Sequence, residues 1–215
     1  MSYFREPVSG FTHLGGALLA VLGTGILIKG ALENGSPYML IALLVYGFSL
    51  IMLYLASTLY HLLPLSEKGV AILRRLDHMM IYVLIAGTYT PLCIITMHGL
   101  WGWVLFSTIW ALALVGFAMK IFWFDAPRVI STLFYVLMGI VVVAFLPILL
   151  NLLSVKALVW LLGGGILYLI GAVIYATKLP LLNFSREFGF HEIFHLFILG
   201  GSLCHYWFVF RFILG

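Results

Sequence analysis

Seven apolar runs, each about long enough to cross a lipid bilayer, constrain this chain more than any other feature of its sequence. A helix rises about 1.5 Å per residue, so about 20 apolar residues cross about 30 Å of hydrocarbon. The runs cover 11–30, 38–61, 75–96, 101–121, 129–150, 156–176 and 191–212. Short separators rich in turn formers or charges, such as Glu33-Asn34-Gly35-Ser36-Pro37, lie between them. We therefore predict an all-α fold, a seven-transmembrane helix bundle that forms one domain over residues 1–215.

Composition supports a membrane protein and excludes other classes. Hydrophobic residues make up 64% of the 215 residues and charged residues 8%, whereas a soluble domain of this length has a largely polar exterior. The formal net charge of +4 comes from scattered Lys and Arg, without the basic block typical of nucleic-acid binding. Only two cysteines occur, Cys93 and Cys204, so neither a disulfide framework nor a cysteine-based zinc site is expected. We predict an integral, multi-pass protein of the cell membrane with no nucleic-acid partner.

The distribution of basic residues predicts the orientation of the bundle, because Lys and Arg favour cytoplasmic loops. The side that holds the N-terminus carries Arg5, Lys68, Arg74, Arg75, Lys120, Arg128, Lys178 and Arg186. The opposite side carries Lys29, Lys156 and Arg211. This difference predicts a cytoplasmic N-terminus and a C-terminus outside.

Proline and glycine predict local departures from regular, separate helices. Pro91 and Pro147 fall inside the third and fifth apolar runs, where a bundle interior tolerates a kink. The run Gly163-Gly164-Gly165 predicts a patch where two helices pack closely.

Two histidines four residues apart begin the last apolar run, in His191-Glu192-Ile193-Phe194-His195. On a helix this spacing puts both imidazoles on one face, about 40° apart, where both can bind one metal ion, and zinc suits such a pair. The segment also matches H-E-x-x-H, the metalloprotease signature in which the glutamate is the general base. An intramembrane protease would also need a late carboxylate ligand, and no aspartate follows Asp125. The protease alternative is therefore disfavoured.

Further polar residues are predicted to reach the same depth in the membrane. Ser57 and His61 share a face at the inner end of the second helix, and Asp77 begins the third. Because consecutive helices alternate in direction, these ends meet the start of the seventh helix near the cytoplasmic side. We predict a zinc site with His61, His191 and His195 as ligands, an open fourth position and a water held by Asp77. Two alternatives stay open: Asp77 as a helix cap, and Ser57 as a hydroxyl bonded to its own helix.

The other histidines are predicted to lie outside this site. His78 directly follows Asp77, so it points about 100° away around the helix. His13, His98 and His205 occur singly, and such residues are more often interfacial or hydrogen-bonded than ligands of a metal.

These motifs, in this order on seven helices, resemble the progestin and adiponectin receptor family and its bacterial hemolysin III branch. The resemblance covers nearly the whole chain through S-x-x-x-H at Ser57 to His61, Leu-Asp-His at Asp77, and H-x-x-x-H at His191 to His195. It implies that the three histidines bind zinc, that Asp77 contacts the metal through a water and that Ser57 lies beside the site. It also implies a bacterial plasma membrane and a cytoplasmic N-terminus.

Several function classes stay open at this point. One is a zinc-dependent hydrolase of a lipid amide or ester, similar to the alkaline ceramidases related to that family, with Asp77 and Ser57 in catalytic roles. Its partner would be a membrane lipid or a lipid-derived small molecule. The second is a lipid-responsive receptor or sensor with structural zinc. The third is a cytolysin, which a stably inserted bundle does not favour. A retinal protein is disfavoured because the last run contains no lysine.

Overall fold

Long helices account for almost all of the described chain. The computed structural model describes residues 3–123, 125–178, 180–182, 184–185 and 188–215. The helices are α1 Pro7–Asn34, α2 Pro37–Leu62, α3 Glu67–Pro91, α4 Gly99–Phe122, α5 Arg128–Ala144, α6 Leu146–Leu152, α7 Val155–Thr177 and α8 Phe190–Phe208. Two of them, α3 and α8, continue as π-helical segments over Leu92–Met97 and Val209–Leu214. No strand occurs among the described residues.

Six of these helices are long and apolar enough to cross a membrane, and the pair α5 and α6 makes a seventh span if the two are counted together. The expected all-helical membrane bundle is confirmed in this form. Large apolar side chains such as Leu19, Leu22 and Val159 are exposed on the outer surface, as contact with lipid tails requires. Arg186, which contributes to the predicted orientation, lies outside the described residues.

The fifth span is broken, as Pro147 predicts. Helix α5 ends at Ala144, and α6 begins at Leu146 with Pro147 in its first turn, at an angle of 56° to α5. Proline has no amide hydrogen and its ring collides with the preceding turn, so the regular hydrogen-bond ladder cannot continue through it. At Pro91, by contrast, the chain stays helical and changes from α-helix to π-helix.

Helix α3 begins at Glu67, about two turns before the apolar run at residue 75. The side chain of Ser66 accepts a hydrogen bond from the amide of Gly69 at 3.4 Å, and the carboxylate of Glu67 lies in the first turn, where the helix dipole favours it. These added turns carry Arg74 and other polar residues, so a helix predicted from hydropathy alone begins after them.

Packing brings several helix ends together. Helix α1 packs on α2, α2 on α3, and α7 on α8, while α8 also contacts α1. As a result, the start of α1, the end of α2, the start of α3, the end of α7 and the start of α8 meet at one end of the bundle. The three clustered histidines and the residues that surround them lie at that end.

Candidate metal centre

Three histidines converge where α2 ends and α8 begins. One ring nitrogen from each of His61, His191 and His195 lies within 4.8 Å of the others. The Nε2 atoms of His61 and His191 are 3.4 Å apart, and the His191 and His195 ring centroids are 4.6 Å apart. His61 and His195 are almost completely buried. This cluster can hold a metal ion.

The start of α8 is held by Glu192, the residue between the two histidines. One carboxylate oxygen of Glu192 accepts a hydrogen bond from the amide of Gly189 at 2.8 Å, which satisfies a free donor at the helix start. The other accepts a hydrogen bond from the hydroxyl of Ser9 on α1 at 2.6 Å. Both oxygens of Glu192 are therefore engaged away from the histidines. This geometry does not favour Glu192 as the base of a metalloprotease.

The end of α2 is held by the segment that precedes α1. The amides of Arg5 and Glu6 donate hydrogen bonds to the last carbonyls of α2, on Leu62 at 3.4 Å and on His61 at 2.9 Å. A helix end has such carbonyls without intrahelical partners, and here the N-terminal segment supplies the donors. The guanidinium of Arg5 also lies over the ring of Tyr60, 4.2 Å from its centroid.

The same segment places a carboxylate behind His61. An oxygen of Glu6 contacts the Nδ1 atom of His61, which leaves Nε2 facing the other two histidines. Metal-binding histidines usually donate their second ring N–H to a carboxylate or carbonyl, which fixes the ring and raises its basicity. Sequence reasoning missed Glu6, although a carboxylate directly before the first helix, at the predicted inner end, was the available signal.

Ser57 and Asp77 lie beside the cluster. The side chain of Ser57 lies next to the carboxylate of Asp77, and both residues line a cavity that His191 and His195 also line. Asp77 is outside the group of ligand atoms within 4.8 Å of one another. It therefore lies near the cluster, where a bridging water would be needed to link it to a metal.

The remaining histidines have different surroundings. His78 points to α7, with its Nε2 atom 3.3 Å from the hydroxyl of Tyr175. His98 is exposed and its Nδ1 atom is 3.2 Å from a backbone carbonyl, while His205 is buried and its Nε2 atom is 3.0 Å from the carbonyl of Leu161.

His13, predicted to be interfacial or hydrogen-bonded and not a ligand, lies directly against the cluster without belonging to it. It is buried, and its ring is stacked on that of His195 at a centroid distance of 3.7 Å and an angle of 11°. His13 lies on α1 one turn after Ser9, whose hydroxyl contacts Glu192 on α8, so it faces α8 as well. The ring of His13 therefore packs against the face of the His195 ring.

An apolar cavity opens from the histidine cluster. Its volume is about 400 Å³, and its walls come from α1, α2, α3, α5, α7 and α8. Most of the lining side chains are aliphatic or aromatic, and Asp77, His191 and His195 are among the polar residues that line it. Cavities of roughly 300–1,000 Å³ with a few converging polar groups are typical of sites for small molecules.

Comparison with known proteins identifies relatives along almost the full chain. A family model described as Haemolysin-III related matches residues 1–206. Hemolysin-3 of Bacillus cereus is 43% identical over 202 residues, which cover 92% of this chain and 87% of that protein. The Hemolysin-3 homolog of Bacillus subtilis (strain 168) is 37% identical over 200 residues, which cover 92% of this chain and 89% of that protein.

A more distant relative is human. Monocyte to macrophage differentiation factor of Homo sapiens is 23% identical over 222 residues, covering 98% of this chain and 85% of that protein. The family predicted from the order of the serine, aspartate and histidine motifs is confirmed. The chain is a multi-pass membrane protein that belongs to the haemolysin-III related family.

Proposed function

We propose that this protein is a zinc-dependent membrane hydrolase that cleaves a lipid amide or ester. The observation that carries the proposal is a cluster of three histidines, two of them almost completely buried, that opens onto an apolar cavity with Asp77 on its wall. Three protein ligands with an open fourth position are typical of catalytic zinc, whereas structural zinc usually has four.

The spacing of the ring nitrogens is compatible with zinc. Two nitrogens bound to one tetrahedral zinc at 2.0–2.1 Å lie about 3.3 Å apart. The Nε2 atoms of His61 and His191 are 3.4 Å apart, so both can bind one ion with little movement. All three donors are imidazoles, which zinc accepts readily.

Several residues of the chain would have separate roles in hydrolysis. Bound zinc would supply a Lewis acid that polarises a carbonyl and makes water more acidic. Asp77 would orient the attacking water and accept its proton, and Ser57 would hold the carboxylate of Asp77 in place. Glu6 would keep the ring of His61 directed at the centre. The apolar cavity would bind the acyl chain and exclude bulk water from the carbonyl.

Metal analysis and turnover test this proposal together. Purified wild type should contain about one zinc per chain, as three-histidine sites do, and should hydrolyse a ceramide-like or lysolipid substrate. His191→Ala should lose both zinc and turnover, while the exposed-residue control His98→Ala should keep both. Asp77→Asn should keep zinc and lose turnover by roughly 10²–10⁴-fold, the usual contribution of a general base. No zinc in wild type, or no metal-dependent turnover across such a panel, would contradict the proposal.

A second candidate is a lipid-responsive sensor in which zinc is structural. The ligands come from α2 and α8, helices far apart in the chain, so a bound ion would tie them together. A lipid in the cavity would then shift the balance between two arrangements of the bundle. Turnover by wild type separates the candidates, because a sensor would bind the lipid without cleaving it.

We further propose that the chain is a single domain with the metal centre near the cytoplasmic face. Basic residues at the end of the bundle that holds the centre support this orientation, since such residues favour the cytoplasm. A reporter that works only in the cytoplasm should be active when it is fused to the N-terminus. A reporter that works only outside the cytoplasm should be active when it is fused to the C-terminus. The reverse pattern would overturn the orientation.

A further inference from the structure

A smaller pocket with polar walls lies between α3, α4, α5 and α7, at the same end of the bundle as the histidines. Its volume is about 50 Å³, and its walls include Arg74, Lys120, Arg128 and Ser131. Three of these side chains carry a positive charge, and none of the described residues that line the pocket is a carboxylate. The pocket is therefore strongly basic.

The charge of Lys120 is buried in the protein. Only 3% of Lys120 is exposed, and its ammonium donates a hydrogen bond to the hydroxyl of Ser131 at 2.6 Å. A hydroxyl is neutral and leaves the charge uncompensated, and a buried ammonium is costly without an opposite charge. In the part of the chain that the structure describes, Lys120 forms no ion pair with a carboxylate.

Arg128 adds a second charge to the lining of the pocket. Its guanidinium lies over the ring of Tyr175, 4.6 Å from the centroid, and its Nη1 atom donates to the carbonyl of Tyr175 at 3.3 Å. These contacts orient the group but bring no negative charge, and the described residues give Arg128 no carboxylate partner. An anion between Lys120 and Arg128 would neutralise both.

This basic pocket adjoins the apolar cavity. His78, Tyr135 and Tyr175 line both spaces. The ring of Tyr175 lies between the pocket and the histidine cluster, with its centroid 6.1 Å from that of His191. The two spaces are therefore adjacent, and a lipid whose anionic group lies in the pocket would have its apolar chain beside the cavity and the candidate metal centre.

We propose that the basic pocket binds a phosphate monoester or diester, carried by an anionic membrane lipid whose acyl chain occupies the apolar cavity. Arg and Lys together are the usual ligands of phosphate, and basic pockets between membrane helices bind anionic headgroups. Binding of this lipid does not require the metal. A role of this lipid as the substrate rests on the proposed hydrolase function.

Binding measurements on the purified full chain in neutral detergent test this assignment. Dioctanoyl phosphatidic acid and dioctanoylglycerol have the same chains and differ in the phosphate, so wild type should bind the former about 10- to 100-fold more tightly. Lys120→Met and Arg128→Gln should each remove most of this preference. Arg75→Gln is the matched control, since Arg75 is an exposed neighbour of Arg74 that does not line the pocket, and it should keep the preference.

Inorganic phosphate distinguishes the two sources of the anion. Displacement of phosphatidic acid by millimolar phosphate in wild type would support a site that also takes free phosphate. Binding of phosphatidic acid without such displacement would support the lipid as the source. Equal affinity of wild type for the two lipids, or a preference that survives in both pocket variants, would overturn the proposal.

Two controls keep the result interpretable. Arg128 is only half-buried, so Arg128→Gln still tests the pocket if the buried substitution Lys120→Met impairs folding. The measurement is repeated on wild type treated with a chelator, where the phosphate preference should be unchanged. If the hydrolase proposal is wrong, wild type still prefers the phosphate-bearing lipid. If the pocket proposal is wrong, wild type still contains zinc, so the two failures are distinguishable.

Discussion

At the scale of single residues, two glutamates near the histidines differ in what they contact. Glu192 lies between two candidate ligands in the sequence, yet its oxygens accept hydrogen bonds from Ser9 and Gly189. Glu6 is remote in the sequence and contacts the Nδ1 atom of His61. Of the two glutamates, only Glu6 contacts a histidine of the candidate metal centre through its side chain.

Glu6→Gln should therefore weaken metal binding more than Glu192→Gln does. Loss of the carboxylate behind a ligand histidine typically costs 10- to 100-fold in metal affinity, and we expect a loss in that range for Glu6→Gln. Zinc affinity measured by competition with a chelator checks this prediction. Glu192→Gln is the matched control, because the same change there alters a helix cap, and it should leave zinc affinity within about threefold of wild type. Equal losses in the two variants would contradict the assigned role of Glu6.

At the scale of helices, the glycine run of α7 is a close contact at one position only. A Cβ atom on Gly164 would lie 2.6 Å from the Nε2 atom of His205 and 3.1 Å from the carbonyl oxygen of Gly201 on α8. The same atom on Gly163 or Gly165 would meet nothing within 4 Å. Of the three glycines predicted to pack closely, only Gly164 does so, because successive residues of a helix face different directions.

Gly164→Ala should destabilise the protein, whereas Gly163→Ala should not. The added methyl group would displace His205, whose Nε2 atom bonds the carbonyl of Leu161, and overpacking of this kind costs about 1–3 kcal/mol. Alanine at Gly163 enters open space in a helix and should stabilise by up to about 1 kcal/mol. Thermal unfolding of the two variants in detergent measures both effects. A melting temperature of Gly164→Ala at or above that of Gly163→Ala would contradict the close contact between α7 and α8.

At the scale of the whole molecule, the candidate metal centre joins elements from both ends of the chain. His61 comes from α2 and the other two candidate ligands from α8, while the segment before α1 contacts His61 through Glu6. A ligand that binds only the folded state stabilises it by mass action. The metal should therefore stabilise the entire bundle and not only the residues around it.

Removal of the metal should lower the melting temperature. Binding at a free concentration 100 times the dissociation constant stabilises by about 2.7 kcal/mol, which corresponds to about 5–10 °C for a chain of this size. Thermal unfolding with and without a chelator measures the difference. His191→Ala is the control and should show no effect of the chelator; an equal effect there would place the metal elsewhere.

Acid should remove the same stabilisation. Imidazole binds a metal only in its neutral form, so protons compete with the ion as the pH falls. The stabilisation by metal is thus present at neutral pH and lost at acid pH. We expect the chelator-dependent difference in melting temperature to shrink as the pH falls, and a difference that stays the same down to the pH at which the protein unfolds would contradict binding by histidines.

The fold and part of the site follow from the sequence alone. The number, positions and approximate lengths of the spans depend on hydropathy and on bilayer thickness, both local properties, and the break at Pro147 follows from the missing amide of proline. The spacing of four between His191 and His195 makes them neighbours on any helix. The alternation of helix direction then predicts that His61 and Asp77 lie at the same end of the bundle.

Only the tertiary structure decided which side chains meet at that end. A helix that is apolar all round can face its neighbours with any side, so hydropathy does not determine its rotation about its own axis. That rotation stacks His13 on His195 and brings Lys120 and Arg128 to one pocket. The contact between Glu6 and His61 likewise depends on where the chain before α1 crosses the end of α2. The sequence by itself determined the spans and the shared face of the histidine pair, and packing between helices determined the surroundings of the metal centre and the basic pocket beside it.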